Sequence, residues 1–111
     1  MEESILKTIR KKIGLTIDDE SFDEDLLVEI NSCCSYLYQL GIDNFSNFIV
    51  SGTEEQWNDL GLNEAVLSAV KKYMWIRVRL AFDPPSNSFL VENLKQEMRE
   101  AEWRINVFVD P

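Results

Sequence analysis

The chain has 111 residues and 12.9 kDa, with 45% hydrophobic and 28% charged residues, which fits one globular domain and excludes a disordered polymer. Its net charge of −9 is uneven: all eleven bases lie at Lys7 to Lys12 or from Lys71 onward, while Ile13 to Val70 holds twelve acids and no base. Such a surface repels phosphate and argues against a basic groove that grips nucleic acid in the isolated chain, although not against standing near DNA without holding it.

Histidine is absent, which removes the commonest general base and metal ligand. No apolar run approaches the roughly 20 residues that span a bilayer. Met1-Glu2-Glu3-Ser4 puts acid where a secretion signal needs base, so the expected site of synthesis and folding is the cytoplasm of the cell that makes it. Adjacent Cys33 and Cys34 point about 100° apart on a helix, which predicts free buried thiols in a reducing compartment.

The first predicted helix covers Glu2 to Ile13, with Ile5, Leu6, Ile9 and Ile13 on one face, Glu2 and Glu3 at its start and a basic end at Arg10 to Lys12 that reads as solvated in preference to a recognition patch. Gly14 supplies the stop. The acidic loop Asp18 to Asp25 lacks the glycine and the twelfth-position glutamate of a calcium loop. Ser21 with Glu24 instead reads as a capping box. The second helix carries Leu26, Ile30, Cys33, Leu37 and Leu40 on a core stripe, with Leu27 and Cys34 beside it, and ends at Gly41.

From Ile42 to Val50 the pattern weakens, and Phe45 to Val50 reads as either a short β segment or a buried connector. Thr53 with Gln56 makes another capping box for a short helix through Leu60, in which Trp57 reads as plugging a core edge in preference to a binding role. Asn63 then caps a long helix whose Val66, Leu67, Val70, Tyr73, Met74, Val78, Leu80 and Ala81 span a wide apolar arc, as expected of a central helix touched from several sides.

Two residues disobey that wheel. Trp75 falls on the polar side among Lys71, Lys72 and Arg79, and Arg77 falls inside the apolar arc. Trp75 either lies over the alkyl stems of Lys71 and Arg79 or belongs to an interface; Arg77 either snorkels, pairs with a carboxylate or does the same. After the breaker Asp83-Pro84-Pro85-Ser86, a last helix starts between Ser86 and Ser88, with Leu90, Leu94, Met98, Ala101 and Ile105 on its core stripe. Trp103 stands off that stripe near Phe89 and Val107, and Glu100 and Arg104 are spaced for an i,i+4 ion pair. The apolar tail Ile105 to Pro111 is expected to dock on its own domain or stay disordered, in preference to adding to a neighbour as an extended strand.

The pattern therefore predicts an all-α fold: a small bundle, one domain over residues 1–111, built on the long central helix and the C-terminal one. No phosphate loop, Cys-x-x-Cys, nucleophile elbow or metal-ligand helix motif occurs, so neither catalysis nor a cofactor is expected. The candidate contact residues are Trp75, Arg77, Arg79, Trp103, Arg104, Val107 and Phe108.

Tyr73-x-x-x-Arg77-Val78-Arg79-Leu80-Ala81-Phe82-Asp83-Pro84-Pro85, followed by Glu102-Trp103-Arg104-Ile105-Asn106, closely resembles the tailed-phage head-tail connector proteins, the adaptors also described as DNA packaging proteins. Gly52-Thr53 with Trp57, and the opening helix with its acidic loop, extend the likeness over most of the chain. The resemblance implies a subunit of a ring, dodecameric in the virion, made in the host bacterial cytoplasm. That ring docks under the portal, meets the next head-completion or tail protein on its other face, and lets double-stranded DNA through without binding it specifically. No membrane is involved, and the C-terminal segment is implied to contact the portal or a ring neighbour. Two other classes stand beside this reading: an acidic regulatory protein that mimics DNA on a host or phage enzyme, which needs acids at phosphate-like spacing on one face, and an enzyme, which needs a pocket holding a shifted carboxylate.

Overall fold

The computed structural model describes residues 3–110. Among them are four α-helices: α1 (Ile5–Lys12), α2 (Asp23–Gln39), α3 (Glu64–Phe82) and α4 (Ser88–Val109), with 3-10 turns at Asp43–Phe45 and Trp57–Leu60. The all-α expectation is borne out, and α3 is the central helix, touched by α1, α2 and α4. Its buried arc runs through Val66, Leu67, Ala69, Val70, Tyr73, Met74, Ile76 and Val78. Ile76 thus joins the core, whereas Leu80 is half-buried and Ala81 exposed, because the arc ends before the helix does.

The segment at Phe45–Val50 is a connector; no strand forms among the described residues. Its physical reason is Asn31 of α2, whose amide side chain donates to the Val50 carbonyl at 2.9 Å and accepts from the Val50 amide at 2.8 Å. One side chain satisfies both backbone groups that a neighbouring strand would otherwise have to satisfy. The one extended pairing present is an isolated antiparallel bridge between Ser4 and Gln56.

Three helix starts differ from expectation. The first helix begins at Ile5 with Ser4 as N-cap, its hydroxyl accepting from the Lys7 amide; Met1, Glu2 and Pro111 lie outside the described residues. The Ser21–Glu24 box is not formed: the Ser21 amide donates to Asp19 Oδ1 at 3.0 Å, which draws the Asp19 carboxyl below its usual range, and α2 starts two residues later. The short helix at Thr53 is only the 3-10 turn Trp57–Leu60, and its capping box is Gln56 with Asp59. Thr53 cannot open it, because Glu55 folds back onto Ser51 and Gly52 while its carbonyl accepts from the Ile5 amide. Asn63 does cap α3, accepting from the Val66 amide at 3.1 Å.

Arg10 is the largest departure near the N-terminus. Expected in a solvated helix end, it is 2% exposed. Its guanidinium forks onto Asp23 through Nε (3.0 Å) and Nη2 (2.5 Å), and Nη1 donates to the Ile17 carbonyl. This ties α1 to the loop and to the first turn of α2, and gives Asp23 a role in the fold. Trp57 is buried, donates Nε1–H to Thr8 Oγ1 at 3.0 Å, and carries Lys71 over its ring.

Candidate interface surfaces

α4 is a 22-residue helix of which only Ala101 and Ile105 are buried. Fully burying an isoleucine such as Ile105 contributes about 1.5–3 kcal/mol, and the exposed pair Lys72 to Glu97 at 2.8 Å, crossing from α3, adds at most about 1 kcal/mol. The helix is therefore held on α3 along a narrow line. Its other faces expose Phe89 (73%), Leu90 (51%), Trp103 (66%), Val107 (44%) and Phe108 (43%). Leu90, expected in the core, is half open because the α3 residues opposite it are Trp75 and Arg79. With Pro85, Leu94 and Glu97 these line an open cleft of about 290 Å³ at the mouth of the hairpin.

Trp75 is a half-buried wall of that cleft, and Lys12 of α1 sits 5.8 Å from its ring centroid. Neither Lys71 nor Arg79 takes the stacking role expected for it. Lys71 covers Trp57, and Arg79 donates Nε–H to the Asp83 carbonyl at 2.9 Å, closing the end of α3 at the proline turn.

Arg77 is also engaged within the chain. Nη1 donates to Tyr73 Oη at 3.0 Å and the guanidinium lies 4.7 Å above the Tyr36 ring, which itself stacks on Tyr73. Tyr36 Oη donates to Glu102 of α4 at 3.3 Å, so the cluster joins α2, α3 and α4. Burial pushes the Tyr73 hydroxyl up to about 12, with Arg77 pulling the other way. Among the described residues Arg77 has no carboxylate partner; aromatic faces and a phenol oxygen take that place.

At the far end of α4, Trp103, Asn106, Val107, Val109 and Asp110 form with Leu40 an open groove of about 490 Å³. Val109 packs onto Gly41, where an added Cβ would sit 2.5 Å from its Cγ1. The tail is thus helical through Val109 and docked on its own chain. Arg104 and Phe108, four residues apart, occupy the adjoining flank of the helix and do not line the groove. Glu100 and Arg104 stand exposed and form no ion pair among the described residues.

The seven candidate residues therefore divide. Trp75 and Arg79 belong to the hairpin mouth, Trp103 and Val107 to the groove, Arg104 and Phe108 to the flank beside it, and Arg77 to the tyrosine cluster. From Leu90 to Trp103 the two apolar patches are roughly 20 Å apart along the axis, at 1.5 Å per residue. The residues missed were Leu90 at the mouth, Phe89 exposed beside it in sequence, Leu40 and Val109 at the groove, and Gly41 beneath Val109. A signal for the last set was present in Gly41, whose φ of +115° places the backbone where a small residue is needed.

A family model described as phage connector protein matches residues 5–111. No curated protein and no solved structure matches.

Proposed function

The chain belongs to the phage connector protein family, which gives it a structural role in the connector of a phage particle, and on that premise we propose that it is a ring-forming head-tail adaptor acting by assembly. The ring, dodecameric in the virion, docks on the portal with one face and offers the other to a head-completion or tail protein. The family match bears out the resemblance drawn from the Phe82-Asp83-Pro84-Pro85 turn and the Trp103 ending. No helix among the described residues is long and apolar enough to cross a membrane.

The observation that carries the ring is α4: a helix with two buried residues out of 22 and five large apolar side chains in solvent leaves surface that its own chain does not cover. The acidic surplus supports the channel, since a wall of net negative charge lets DNA slide by the electrostatics that make basic grooves hold it. Mass measurement and electron microscopy of the wild type, alone and with its cognate portal, test this directly. Rings are expected with portal present, and Trp75→Ala and Trp103→Ala are expected to weaken them while leaving a folded monomer. A wild-type chain that stays monomeric on the portal overturns the ring, and full assembly of both variants overturns the tryptophan assignment.

A further inference from the structure

α4 differs from the other helices in its ends as well as in its faces. α1 carries Arg10, Lys11 and Lys12 in its last turn, α2 carries three acids in its first, and α3 has Glu64 at one end and Arg79 at the other. α4 has no acid in its first turn and no base in its last, and Asp110 follows it. Its start is therefore left partly positive and its end partly negative. The positive end carries Phe89, and the negative end carries the groove of Leu40, Trp103, Val107 and Val109.

Resting on the ring reading, we infer that the first turn of α4 in one copy, led by Phe89, seats in the Leu40–Trp103–Val107–Val109 groove of a second copy. The knob is apolar, the groove sets four apolar residues beside Asn106 and Asp110, and the two helix ends are of opposite sign. At about 490 Å³ the groove has room for an aromatic ring, given that a closed cavity of ~150 Å³ takes benzene. The exposed parts of Phe89 and Trp103, at ~150–250 Å² per aromatic side chain, supply roughly 200–350 Å². That is part of the apolar centre of a specific interface burying roughly 1,600 Å² in total. Phe89 and Val107 are 18 residues apart, five full turns, so they lie on one line of the helix about 27 Å apart. Between them the outward face holds Glu92, Gln96, Arg99 and Glu100, all exposed or half-exposed polar groups. A two-fold pairing would have to cover that polar centre, whereas a contact confined to unlike ends repeats head to tail and generates a ring where the rotation between neighbours closes.

The double variant Phe89→Cys/Val107→Cys tests the contact. The two thiols cannot meet within one chain, and the native Cys33 and Cys34 are buried. A disulfide requires the Cα atoms to come within about 4.4–6.8 Å, so it reports this geometry and not mere proximity. Under mild oxidation the full-length variant, alone and with portal, is expected to give a ladder of linked species beyond the dimer. It should exceed by at least about tenfold (≈ 1.4 kcal/mol) the Phe89→Cys/Ile49→Cys control, whose second thiol stands at a more exposed position that does not line the groove. Mixing Phe89→Cys with Val107→Cys should stop at a one-to-one dimer. A double variant that links no better than the control, or that stops at the dimer as a two-fold pair would, overturns the inference. Wild-type rings beside a ladder-free double variant overturn this contact and leave the ring standing; wild-type monomers on the portal overturn the ring and the contact with it.

Discussion

Asp23→Ala should be more damaging than removing the arginine it binds. Arg10 has a side chain 3% exposed and Asp23 one that is 24% exposed. Deleting the carboxylate leaves a guanidinium sealed under the α1–α2 loop with the Ile17 carbonyl as its remaining acceptor. Stranding a buried charge costs about 3–5 kcal/mol, and partial hydration of the site puts this case near 3 kcal/mol. Arg10→Met keeps most of the packing volume and frees Asp23 to take water, at a cost of about 1–2 kcal/mol. The double variant, with no charge left to strand, should fall near the Arg10→Met value, so that a second mutation rescues the first. At about 0.05–0.15 kcal/mol per residue the whole fold has roughly 5–15 kcal/mol to lose, so the difference is measurable. Urea unfolding at an m-value of about 1–3 kcal/mol/M should place the Asp23→Ala midpoint about 1–3 M below wild type. Additive losses, or a double variant less stable than Asp23→Ala, would refute the reasoning.

Gly41→Ala should cost about 1–2 kcal/mol from its positive φ alone, and more because its Cβ meets Val109. Adding Val109→Ala should recover the clash and not the backbone strain; equal unfolding midpoints for Gly41→Ala and wild type would sink this account of how α4 is held. Burial pushes the Cys34 thiol up to about 12 and Cys33 higher still, with Cys34 beside it adding to the effect on Cys33. Raised folded values mean that the stability these protonated thiols supply is complete below pH 9 and declines as pH climbs toward 12. A thiol-reactive dye at pH 8 should label the native chain at the unfolding rate only, and immediate labelling of either cysteine would contradict the burial.

The helices were legible because their stripes are regular: Ile5, Leu6 and Ile9, then Leu26, Ile30, Cys33 and Leu37, are all buried as their spacing demands. What the pattern hides is tertiary substitution of one hydrogen-bond partner for another. Asn31 looks like a polar residue on the flank of α2, yet it is what keeps Val50 from needing a strand. Arg10 looks like dipole compensation and is in fact the arginine half of a buried fork, whose acid lies 13 residues away across a loop. The wheel also gave Trp75 and Trp103 the same meaning, and the fold separates them. Trp75 is partly closed by α4 and Lys12, while Trp103 stays two-thirds exposed. A wheel reports which side of its own helix a residue occupies; only the neighbours decide whether that side is covered.

Identical subunits that each carry −9 repel one another, so a ring of them needs contacts placed where the repulsion is least. The chain distributes its charge in that way. Residues 13–70 hold twelve acids and no base, whereas residues 71–110 hold seven bases against six acids and are close to neutral. The proposed knob and most of the proposed groove lie in this neutral part, on α4. Leu40, an uncharged residue at the end of α2, is the single groove residue from the acidic part. Apolar surface, opposite helix ends and near-zero local charge thus coincide on one helix. The acids that would oppose packing of neighbours, and that would keep DNA from adhering, are carried by the other part of the chain.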